Sequence, residues 1–374
     1  MSMNQFMPGL ELNRRFYNDV VQPLLAARFP DLVYSAGLIG YGSDVLGYDT
    51  AISTDHEWGP RLLIFLRSEE YSELHQSISE TLRHELPPSF HGYSTNFSEP
   101  VGEDADVRLL EPGIPGQINH HISMMTVADL LEWEFGVRSL DAITARDWLT
   151  FPEQKLLEVT AGAIYHDGLG QLEPLRQRLS YYPHDVWVYR LAAQWQRISQ
   201  EEAFVGRCGD VGDELGSRIL AARLVRDVVR LCFLLERRYA PYSKWFGTAF
   251  NRLTCARQLG PLLTAALAAS NWQEREEHLA EAYEAVARMQ NTLALTDPLD
   301  PTPRRYHDRP YRVIHAERFA NVLAATIRDE ELRRIIDDVG LVGAVDQFAD
   351  STDMLSHAGR SRRLGRFLNN ERQV

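Results

Sequence analysis

The sequence predicts an α+β chain in two parts, and three observations carry that expectation. Short apolar runs of strand length, separated by turns, fill the first third of the chain. From about residue 126 the apolar positions recur at helical spacing instead. A length of 374 residues also exceeds what one hydrophobic core usually organises. The expected parts are an α/β domain over 1–125 and a mostly helical domain over 126–374.

The first part reads in order as follows. Leu12, Phe16, Val20, Leu24 and Leu25 predict an amphipathic helix over 10–29, stopped by Pro30-Asp31. Leu32 to Ile39 predicts a strand that enters the turn Gly40-Tyr41-Gly42-Ser43. Arg61-Leu62-Leu63-Ile64-Phe65-Leu66 is a compact apolar run of the kind found in buried strands. A charged helix follows over about 68–86 and ends at Pro87-Pro88. Ser89 to Gly116 reads as short strands and loops, and Ile118 to Val127 as a further strand.

Helical periodicity then covers 127–137, 153–163, 185–207, 213–239, 253–269, 272–295 and 316–327. Asp185 suits a helix N-cap, and the proline-rich stretch 296–309 reads as a loop. Cys232, inside Leu231-Cys232-Phe233-Leu234-Leu235, is expected in the core.

Composition excludes several classes. Hydrophobic residues make up 44% and charged residues 24%, ordinary globular values. A net charge of −13 argues against a nucleic-acid coat, which needs clustered cations. Three scattered cysteines form neither a disulfide framework nor a zinc site. No leader pattern and no apolar stretch of about 18 residues stands out, so a cytoplasmic protein without membrane contact is expected.

The chemistry concentrates in Gly42-Ser43 and, eleven residues on, Asp55-His56-Glu57. In extended backbone Asp55 and Glu57 share a face. Two adjacent carboxylates repel unless a cation joins them, and oxygen-only ligands favour Mg²⁺. A Gly-Ser turn offers backbone N–H groups and a hydroxyl to phosphate oxygens. Together they describe a phosphoryl-transfer site.

Gly42-Ser43 followed by Asp55-x-Glu57 resembles the signature of the DNA polymerase β-like nucleotidyltransferase superfamily. The longer stretch Gly42 to Pro60, with Gly212 to Ser217 and Tyr239 to Phe250, resembles one branch, DUF4037. Aminoglycoside nucleotidyltransferases are relatives of similar plan. The resemblance implies a mixed sheet, divalent metals (Mg²⁺ or Mn²⁺) and transfer of an NMP from an NTP, with ATP foremost. It implies a third metal-binding acid on a neighbouring strand, for which Asp106 is the first candidate and Glu111 the second. It also implies a general base from the helical part, where Asp210, Asp213 and Glu214 precede a helix and Glu214 is preferred.

Arg223, Arg226, Arg230 and Arg237 share one broad helix face, as a salt-bridged surface with Asp227 and Glu236 or as phosphate ligands. Lys244 stands among Tyr239, Tyr242, Trp245 and Phe246; either the group plugs the space between helices with the lysine tip in water, or Lys244 reaches phosphates while Tyr242 or Trp245 stacks on a base or acceptor ring. Nucleotide contacts are therefore expected at Gly42, Ser43, Arg223, Tyr242 and Lys244. The expected activity is transfer of an NMP to a hydroxyl of a small molecule with release of pyrophosphate. A catalytically silent nucleotide- or partner-binding protein and a protein-modifying nucleotidyltransferase are its rivals.

Overall fold

The computed structural model describes residues 6–54, 57–100 and 107–368. The chain divides into two compact units, one of Met1–Ala142 with Lys155–Ser180, the other of Ile143–Gln154 with Tyr181–Val374. It is mixed α/β, with a small mixed sheet near the N-terminus and a mostly helical C-terminal part.

Four strands form the sheet of the first unit: β1 Ser35–Leu38, β2 Arg61–Phe65, β3 His121–Met125 and β4 Ala163–Asp167. Their order is β3-β2-β1-β4. β1 runs antiparallel to β2 and to β4, whereas β2 and β3 are parallel with Arg61 opposite His121. A parallel neighbour requires a crossover, and the Ser68–Glu85 helix lies within that connection. β2 is buried along almost its whole length, as its unbroken apolar run requires.

The predicted N-terminal helix forms as Gly9–Phe16 and Gln22–Arg28 around one π-helical turn. Its apolar face packs Phe16, Val21 and Leu25 against Ala36, Leu62 and Ile64 of the sheet and Ile78 and Leu82 of the crossover helix. Each such side chain, once buried, contributes roughly 1.5–3 kcal/mol of transfer free energy.

β4 is a strand within the stretch beyond residue 126 that was expected to be mostly helical. The Glu153–Thr160 helix ends before Gly162, whose positive φ turns the chain back into the sheet. A Cβ at Gly37 would overlap the carbonyl of Ala163, and the β1–β4 register shifts between Ala36 and Gly37.

The second unit is helical. Its long elements are His184–Glu201, Glu214–Leu235, Ala256–Ala268 and Trp272–Thr292. Trp195 stacks on Phe319 with centroids 4.5 Å apart, and Leu191, Leu224 and Val228 are fully buried. Cys232 is fully buried. The helix expected to reach residue 207 stops at Glu201, and Phe204–Asp210 forms separately. The Glu202 carboxylate, just past that helix end, accepts the backbone N–H groups of Ile314 and Ala316, at 2.7 and 3.1 Å.

Asp185 lies inside its helix, not at the cap, and instead accepts the N–H groups of Arg328 and Asp329, both at 2.7 Å. No helix among the described residues is long and apolar enough to cross a membrane.

Candidate functional site

The turn after β1 is built on buried charge. Arg61, at the head of an apolar strand, is only 6% exposed. Its Nη2 donates to Asp44 Oδ1 at 2.8 Å and to the Tyr41 carbonyl at 3.0 Å. Burial disfavours the guanidinium charge, but the Asp44 carboxylate beside it outweighs that and raises its pKa. Asp44 also accepts the N–H of Val45, so one acid ties the turn to the strand beneath. Gly42 has φ +130°, and a Cβ there would overlap Asp44 Oδ1 and the Arg61 fork. The backbone N–H groups of Gly42, Ser43 and Asp44 donate to no described residue.

Glu57 stands beside this turn. Its Oε2 accepts from Tyr41 Oη at 2.9 Å and lies 2.7 Å from His121 Nε2. Its Oε1 accepts the N–H of Arg108 at 2.6 Å, and its own N–H donates to the Arg108 carbonyl at 3.0 Å. Burial pushes this carboxyl up, but the bonds from His121, Tyr41 and Arg108 prevail and hold it below the ordinary range. Glu57 has φ +50° and lies before β2, so it is not the extended residue that the alternation argument assumed. Asp55, His56 and Asp106 lie outside the described residues. Glu111 sits exposed on a two-residue strand paired with Asn96–Phe97. Among the described residues no group of three His, Cys, Asp or Glu side chains is gathered around one metal position.

His121 opens β3, and His120 lies immediately before it. His120 accepts the N–H of Ile122 and meets the Ser79 carbonyl at 3.1 Å; burial pushes its pKa down. His121 packs against Phe97 and reaches Glu57. Both line a cavity of about 270 Å³ together with Arg83, Arg108 and Asn119. Arg61 and His121 went unassigned in the sequence reading. An arginine opening an apolar strand was the available signal for the first. Nothing in the spacing marked the second, because a pairing across 64 residues leaves no local pattern.

The remaining expected residues belong to the second unit. Glu214 opens its helix, half-buried, and pairs with Arg275 and Arg218, which hold its carboxyl below the ordinary range. Asp213 caps that helix by accepting the N–H of Gly216 at 2.8 Å.

The arginine row splits among partners other than Asp227 and Glu236. Arg223 pairs with Glu201, Arg226 with Asp350, Arg230 with Glu153, and Arg237 lies over the rings of Tyr181 and Trp187. Asp227 serves Arg197 and Gln194, while Glu236 accepts the N–H groups of Thr254 and Cys255.

Lys244 is exposed, its Nζ 5.1 Å from the Trp245 ring centroid. Tyr242 Oη accepts from Trp245 Nε1 at 2.9 Å and lines a cavity from which Lys244 and Arg223 are absent.

A family model described as a domain of unknown function (DUF4037) matches residues 148–246. The match takes in Arg223, Tyr242 and Lys244 and does not reach Gly42, Ser43 or Glu57. No curated protein matches the chain.

Proposed function

We propose, for a chain that carries a DUF4037 domain over residues 148–246, that the first unit is a metal-dependent nucleotidyltransferase site. The observation that carries the reading is the turn itself. Three successive N–H groups, of Gly42, Ser43 and Asp44, lack protein acceptors among the described residues and sit on a neutralised Arg61–Asp44 pair beside a carboxylate. Successive backbone N–H groups are a recurrent way of holding phosphate oxygens. Arg83 and Arg108 add positive charge around His121, in a protein whose net charge is −13.

The donor set suits a hard divalent ion, which commonly takes one or two carboxylates and completes its shell with water and phosphate. Glu57 would hold it with Asp55, two positions earlier in the sequence. When bound, such an ion neutralises charge on the phosphates and on the departing pyrophosphate. The chain's own groups do the positioning. The Gly42–Asp44 backbone binds phosphate, and His121, Tyr41 and Arg108 fix the Glu57 carboxylate. The acceptor's hydroxyl oxygen attacks the α-phosphorus of the NTP, the α–β bridging bond breaks, pyrophosphate leaves, and the hydroxyl proton passes to a carboxylate base. A small-molecule acceptor suits the acidic net charge better than a polynucleotide does.

A second reading, nucleotide binding without turnover, is favoured by one observation: both Glu57 oxygens already have protein partners. Calorimetry with ATP and Mg²⁺, on the natural chain and on the Asp55→Ala, Glu57→Ala double variant, tests the site. Metal-dependent binding that the variant loses supports it; no ATP binding by the folded natural chain, with Mg²⁺ or Mn²⁺, ends both readings. Pyrophosphate release with hydroxylated acceptors then separates turnover from binding.

A further inference from the structure

The second unit buries a network of like and unlike charges. Arg190, 1% exposed, directs Nη1 and Nη2 to Asp346 Oδ2, each at 3.2 Å, and Nη2 also lies 3.2 Å from Glu153 Oε1. Asp346 Oδ1 accepts the N–H of Glu153 at 2.7 Å. This accounts for Arg190 and Asp346. It does not account for Arg230.

The Arg230 side chain is 12% exposed, and its nearest carboxylate oxygen, Glu153 Oε2, is 3.7 Å away, too far for a hydrogen bond. Its other neighbour is the Phe246 ring, 5.7 Å from the guanidinium carbon. A guanidinium carries five N–H donors, and here none donates to a described residue. Glu153 is its only ion-pair partner among the described residues and is out of hydrogen-bond reach, and burial lowers its pKa.

The group faces a cavity of about 260 Å³ lined also by Glu153, Tyr242, Phe246, Asp346 and Leu355. We infer that this cavity is a binding site for a small monoanionic organic carboxylate, whose head meets the Arg230 fork and whose apolar or ring-shaped body lies along Tyr242, Phe246 and Leu355. A planar carboxylate matches a guanidinium through two parallel bonds. The acids lining the same cavity select against a second negative charge, so a phosphate dianion fits less well than a carboxylate. All these residues belong to the second unit, and the inference stands apart from the nucleotidyltransferase reading.

Titration calorimetry of the full chain with benzoate, and separately with inorganic phosphate, tests it. The expected result is saturable benzoate binding that weakens at least about tenfold in Arg230→Gln and changes by less than about twofold in Arg223→Ala, with phosphate binding weaker than benzoate. Absence of saturable benzoate binding, equal binding by Arg230→Gln, or tighter binding of phosphate overturns it. Should Arg230→Gln fail to fold, modification of Arg230 by phenylglyoxal in the natural chain, followed by mass spectrometry, replaces it. Benzoate should slow that modification several-fold, and an unchanged rate overturns the assignment.

Discussion

Glu57 in the first unit and Glu153 in the second are both carboxylates largely withdrawn from water, yet their surroundings push them in opposite directions. Glu57 is ringed by donors, from His121, Tyr41 and Arg108, so its charged form prevails despite burial. Glu153 is withdrawn more completely, shares its cations with Asp346, and is pushed up to about 7 because burial outweighs the pull of Arg190. The difference teaches that burial alone does not set a carboxylate's behaviour; the number of donors aimed at each oxygen does.

The largest way to break this comparison is Arg190→Met. Removing the cation leaves Glu153 and Asp346 without the buried partner they share, and the loss should be about 3–5 kcal/mol, read from chemical denaturation. A loss below about 1 kcal/mol would class the network with exposed ion pairs and erase the contrast.

Gly42→Ala comes next. Its Cβ would overlap Asp44 and Arg61 at a φ of +130°, so a loss of roughly 1–3 kcal/mol is expected, together with loss of ATP binding. Unchanged stability would show that the turn rearranges freely.

The pH dependence sharpens the comparison further. The Glu153 pKa in the folded protein lies above the ordinary 4.5, so the folded state keeps a proton that the unfolded chain has lost. Its contribution to stability therefore falls as pH rises from about 4.5 to about 7. Glu57, held below 4.5, contributes stability above that value and loses it as pH falls through its folded pKa. Thermal unfolding across pH should show a flatter fall between 4.5 and 7 in Glu153→Gln than in the natural chain. Glu57→Gln should flatten the acid limb instead. Parallel profiles for either variant would remove that acid from the account.

The smallest effect is expected at Lys244→Ala. The side chain is exposed, and a change within about 0.5 kcal/mol should appear in thermal unfolding. A larger loss would mean that the Trp245 contact anchors the Ser243–Phe250 helix.

Much of the fold was legible because its signals are local. The run from Arg61 to Phe65 could only be a buried strand, and the spacing from Leu12 to Leu25 could only bury one helix face. β4 was hidden because five half-buried residues between helices carry no run and little alternation. At the site, Gly42, Ser43 and Glu57 were visible as a motif, whereas His121 became a partner of Glu57 only through the parallel pairing of β2 and β3. Arg223, Arg226 and Arg230 were visible as a row on one helix, but their separate fates depended on Glu201, Asp350 and Glu153, which lie far away in sequence for all but the first.

The sequence by itself determined most of the elements and the two textures of the chain, because periodicity and turn chemistry act over a few residues. Tertiary structure alone decided which charges are answered. Arg61 found Asp44, Arg190 found Asp346, and Arg230 found only a distant Glu153. Electrostatic energy depends on distance and burial, and neither is written in the order of the residues.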